Sequence, residues 1–111
     1  MVVLKKNSKI SGPKTLHWTG HSKMKMRQYG LSESRVKRIM HTPMRIEYGI
    51  APETIAMMQP AGSKKHPYEL WVMIVETKAQ RKIISAWRYP GQTKLREALP
   101  EHVMHELRRA L

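Results

Sequence analysis

The chain has 111 residues, no cysteine, and a formal net charge of +13 from 21 Lys and Arg against eight acidic residues, all of them Glu. That length suits one domain with a real core, and the charge favours a polyanionic partner: nucleic acid, a ribosome, anionic lipid or an acidic protein. Without cysteine there is no disulfide frame, thiolate zinc site or thiol nucleophile, and no run approaches the roughly 18 apolar residues of a membrane helix.

Charge is unevenly spread. Residues 1–38 hold ten basic side chains and one acidic, residues 39–76 three and four, and residues 77–111 eight and three. If the middle is core and the ends converge, one surface is strongly positive. Residues 1–14 mix Lys5, Lys6, Lys9 and Lys14 with Asn7, Ser8, Gly12 and Pro13, which reads as a flexible basic arm. Val2, Val3 and Leu4 run straight into Lys5 and Lys6, unlike a signal peptide, so a cytoplasmic protein with no membrane partner is expected.

A single domain is expected over residues 15–111. Residues 15–19 form a short extended entry, with Leu16 and Trp18 alternating, before a cationic helix over residues 21–31. That helix carries His21 at its start and Lys23, Lys25 and Arg27 on one arc, and Gly30 stops it. Ser32 then caps a second short helix over residues 33–40, apolar at Val36, Ile39 and Met40, with Arg35, Lys37 and Arg38 turned away. Pro43 ends it nearby.

From Met44 the period changes. Strands are expected over residues 44–48, 54–59, 68–77 and 81–89, as an antiparallel meander. Leu70, Val72 and Ile74 face one side of the third and Trp71, Met73 and Val75 the other, so that strand is central. In the fourth, strict alternation sets Ile84, Ala86 and Arg88 against Ile83, Ser85 and Trp87. Pro90 and Gly91 close the sheet, and Pro100 precedes a final helix with Val103, Met104, Leu107 and Leu111 apolar. The expected fold is α+β: two N-terminal helices, a four-stranded antiparallel sheet and a C-terminal helix.

His21, Met26, Gly30 and Leu31, followed by Ser32, Val36 and Ile39, resemble the helix-pair signature of a family of small uncharacterised domains related to the RelE, ParE and BrnT toxins. The apolar run 70–75 and the run Ile83-Ile84-Ser85-Ala86-Trp87-Arg88-Tyr89 resemble that family's last two strands, and the similarity covers residues 16–90. The resemblance implies a RelE-like fold and a toxin or toxin-derived, metal-independent endoribonuclease acting on messenger or ribosome-bound RNA, with an acidic antitoxin as partner. Lys25 and Tyr29 stand where the family commonly has arginine, and Ala86 where it often has threonine. Lys25 keeps the charge without the two-pronged guanidinium grip.

Metal-free RNA cleavage needs a base, cations for the phosphorane charge and an acid for the leaving oxygen. His21 is the candidate base or acid, because imidazole side chains exchange protons readily. Lys25, Arg27 and Arg88 are the candidate phosphate cations, and Tyr89 could donate a proton or stack on a base. Lys23, Arg81 and Lys82 are read as positioning the RNA backbone, and Trp18 as a residue of the core or of the RNA contact. Trp71 and Trp87 read as core. His17 with His21, and His102 with His105 and Glu106, have metal-like spacing but lack a third convincing ligand, so neither metal nor cofactor is expected. Two other functions fit the residues: a non-catalytic nucleic-acid or ribosome-binding module with the same fold, and a partner-binding domain whose final helix docks elsewhere.

Overall fold

A computed structural model describes residues 15–48, 52–94 and 98–110. The basic arm expected over residues 1–14 lies outside them. In chain order the elements are β1 (Thr15–Trp18), α1 (Gly20–Tyr29), α2 (Glu33–His41), β2 (Arg45–Tyr48), β3 (Thr54–Gly62), β4 (Pro67–Glu76), β5 (Gln80–Pro90) and α3 (Glu101–Ala110).

The sheet has five strands in the order β1-β5-β4-β3-β2, and β1 runs parallel to β5. The four-stranded antiparallel sheet expected from the sequence is therefore corrected to a five-stranded mixed one. The meander β2 to β5 is antiparallel throughout, but the entry segment 15–18 closes back across the helical hairpin to pair with the last strand. The alternation of Leu16 and Trp18 marks these residues as extended but not what they pair with, and their partners Gln80, Arg81, Lys82 and Ile83 lie some sixty-five positions further along the chain. Nothing local in residues 15–18 encodes that pairing.

β4 is the middle strand, and Leu70, Trp71, Val72, Met73 and Ile74 are all buried, as a strand covered on both faces requires. On one face the helical hairpin, its joint included, delivers Met26, Leu31, Val36, Ile39 and Met40 onto Met57, Leu70, Val72, Ile74, Ile83 and Ala86. On the other, Val103 of α3 joins Ala56, Met58, Trp71, Met73 and Trp87, with Leu99 and Met104 beside them. Trp71 and Trp87 face each other across β4 and β5, their rings stacked with centroids 5.8 Å apart. The sheet is thus the middle layer of three.

β5 does not keep the strict alternation expected of it. Met73 pairs with Ser85 and Ile74 with Ile83, so Ile84 is the extra residue of a β-bulge. Ile83 consequently shares a face with Ala86 in the hairpin-side core, while Ile84 packs with Trp87 on the other side. At the opposite end of the sheet, Gly62 (φ 82°) opens the turn from β3 to β4. A Cβ there would stand 2.3 Å from the His66 carbonyl oxygen, so the turn accepts only glycine.

Candidate nucleic-acid interface

The helical hairpin is fixed at each joint by its own sequence. Thr19 caps α1: its Oγ1 accepts from the Ser22 N–H at 3.1 Å and donates to the Ile83 carbonyl at 2.8 Å, tying the helix start to β5. At the far end Gly30 takes the left-handed conformation (φ 68°) and the Leu31 N–H reaches the Met26 carbonyl at 2.8 Å. Ser32 then caps α2 by accepting from the Arg35 N–H at 3.1 Å. Gln59 of β3 closes the last turn of α2, its Nε2 donating to the Arg38 carbonyl, the Thr42 carbonyl and Thr42 Oγ1. The hairpin is held rigidly against the sheet, and the directions of its cations follow.

On the outside of α1, Lys23 and Arg27 are four residues apart and exposed. On α2, Ser34, Lys37, Arg38 and His41 fall at the i, i+3, i+4, i+7 spacing of one helical stripe, and all four are exposed. This stripe forms one side of a groove of about 400 Å³, whose other lining comes from Leu16, Met40 and Arg81. Glu33 is the only acidic residue on the two helices. Arg35 turns inward, donating to Gln59 Oε1, and burial, helped by the neighbouring Arg38 and opposed by Tyr68, holds its guanidinium below the usual value.

The residues singled out from sequence do not gather around one point. Lys25 is 6 % exposed and its Nζ is 2.6 Å from Glu106 Oε1 of α3, with the Tyr29 ring 5.2 Å away. His21, one turn earlier, is half-buried, and its Nε2 is buried without a hydrogen-bond partner. Arg88 is exposed on the hairpin face, where it donates to the Tyr29 carbonyl at 3.2 Å and lies 4.7 Å from the Tyr68 ring centroid. Tyr89 is half-buried on the opposite face, against the tryptophan cluster. Trp18 is packed on the hairpin-side core. Arg81 is buried, with Nε 2.9 Å from Glu76 Oε1 and Nη2 3.3 Å from Oε2, whereas Lys82 is exposed beside it. Of these nine residues, Lys23, Arg27, Lys82 and Arg88 are the solvent-exposed ones.

Two groups escaped the sequence reading. His41 and Leu16 belong to the groove, and the stripe Ser34-Lys37-Arg38-His41 was the available signal for the first of them. The second is a buried polar knot: Glu69 accepts from the Thr93 N–H at 2.8 Å and from Trp71 Nε1 at 3.1 Å, and Arg45 donates to Thr93 Oγ1 at 2.9 Å and to Glu47. Its members come from three separated stretches, residues 45–47, 69–71 and 93, and each of its charged groups is hydrogen-bonded. The knot anchors the segment after β5 to the sheet.

Among the described residues, no three His or Glu side chains converge as metal ligands, and no helix is long and apolar enough to cross a membrane. Comparison with protein-family models, curated proteins and solved structures finds no match to this chain, so the resemblance to the RelE-related domains rests on the quoted residues alone.

Proposed function

We propose that this protein is an RNA-binding module that holds a phosphate backbone on the outer surface of the α1–α2 hairpin without cutting it. The observation that carries this reading is the set Lys23, Arg27, Lys37 and Arg38: four exposed cations on two rigidly capped helices that bear one carboxylate between them. Phosphate contacts of this kind supply affinity through released counterions and require no reacting group. Cleavage asks for more. His21, Lys25, Arg27, Arg88 and Tyr89 would have to surround one phosphate, but Lys25 is buried against Glu106, and Arg88 and Tyr89 lie on opposite faces of the sheet. Binding is the function this geometry supports better than the metal-independent endoribonuclease.

The test compares three equal losses of charge. Anisotropy of a labelled RNA is followed for Lys23→Gln with Arg27→Gln, for Lys37→Gln with Arg38→Gln, and for Arg108→Gln with Arg109→Gln on α3, across the sheet. Each hairpin pair should weaken binding by about tenfold at moderate salt, the α3 pair by no more than about twofold, and the RNA should be recovered intact. Equal losses from all three pairs would mean diffuse charge attraction, and cut RNA would restore the enzyme.

A further inference from the structure

Building on the RNA-binding reading, we propose that the groove between α2 and the β1–β5 edge is a base-binding pocket that takes an unpaired nucleobase, making the protein selective for single-stranded RNA. The groove holds about 400 Å³, within the range of small-ligand sites. Leu16 and Met40 give it an apolar floor. Arg81, 7 % exposed and fixed by Glu76 through two hydrogen bonds, adds an oriented cation to the groove wall rather than a mobile charge.

Charge complementarity names the occupant. Lys37, Arg38 and His41 edge the groove, and among the described residues that line it none is acidic. A ligand that fits must be flat and apolar in the middle and anionic on its flanks, and a nucleotide within a single strand is such a ligand. A duplex is not, because its base faces are stacked inside the helix and only the backbone could reach the cationic rim. The shape of the groove therefore converts a sequence-blind phosphate surface into one that distinguishes strandedness.

The experiment measures affinity of the natural chain for three labelled probes of one length: a single-stranded RNA, an abasic strand with the same backbone, and the RNA as a duplex. The base-bearing strand should bind about tenfold more tightly than the abasic strand and more tightly than the duplex. Ser34→Trp, which fills the groove from an exposed helix position, should erase that preference. Equal affinity for base-bearing and abasic strands, or a preference for duplex, overturns the base pocket but leaves the phosphate surface standing. No binding of any probe overturns both. Should Ser34→Trp not fold, the three-probe comparison on the natural chain decides alone. An oligoglutamate peptide should displace the abasic strand more easily than the base-bearing one; equal displacement marks the groove as a seat for acidic peptide and overturns the proposal.

Discussion

Lys25 shows how far a residue's type falls short of its role. In sequence it is the middle cation of an arc, flanked by Lys23 and Arg27; in the fold it is the one of the three that turns inward, and it meets Glu106 from the far end of the chain. Both side chains are about nine-tenths buried, so each charge has given up most of its hydration and depends on the other. Removing one partner should therefore cost about 3 kcal/mol, the usual penalty for stranding a buried charge. Lys25→Met, whose shape is close, would leave Glu106 unpaired, and Glu106→Gln would leave Lys25 unpaired. Denaturant unfolding followed by the fluorescence of the buried Trp71 and Trp87 should show both losses, and the double variant should be less destabilised than the sum of the two. RNA affinity should stay within about twofold for Lys25→Met, since binding is assigned to its exposed neighbours. A tenfold loss would return Lys25 to the site.

At the scale of elements, much was readable because it is local. Both helices of the hairpin, their caps at Gly30 and Ser32, the central β4 and the helix after Pro100 all follow from period and from residues with one conformational use. What escaped is non-local. β1 exists only through its pairing with β5, and the bulge at Ile84 reassigns faces that a period of two cannot correct. Reading Ile83, Ser85 and Trp87 as one side put Ile83 on the wrong layer. The bulge makes a specific prediction about deletions. Removing Ile84 leaves Ile83 opposite Ile74 and Ser85 opposite Met73, so β5 regains a regular ladder with every other side chain on its present face. Removing Ala86 instead turns either Trp87 or the preceding residues onto the wrong face. Deleting Ile84 should cost about 2 kcal/mol, for the partly buried side chain lost, and keep a cooperative transition; deleting Ala86 should abolish it. Similar melting curves for the two would show that the bulge does not set the register.

The whole molecule sorts its charge by layer. Carboxylates of the sheet and of α3 neutralise the cations that point inward, as Glu76 does for Arg81 and Glu106 for Lys25, while the hairpin surface keeps Lys23, Arg27, Lys37 and Arg38 exposed with a single carboxylate among its helices. Overall charge favours a polyanionic partner, but only the fold separates the engaged cations from the exposed ones, which is why Arg81 and Lys82, neighbours in sequence, end in different surroundings. For the proposed RNA binding, that separation fixes the electrolyte dependence. Each phosphate neutralised on a single strand adds about −0.7 to the slope of log affinity against log salt, so four hairpin cations each meeting one phosphate predict a slope of about −3. Lys37→Gln with Arg38→Gln should bring it to about −1.4, and Lys25→Met should leave it unchanged, because a cation already paired with Glu106 releases no counterion when RNA arrives. Titrations at several salt concentrations measure all three slopes. A slope for the natural chain near about −9, as though its whole net charge of +13 were engaged, would contradict a hairpin-limited surface, since cations on every layer would then have to meet phosphate at once.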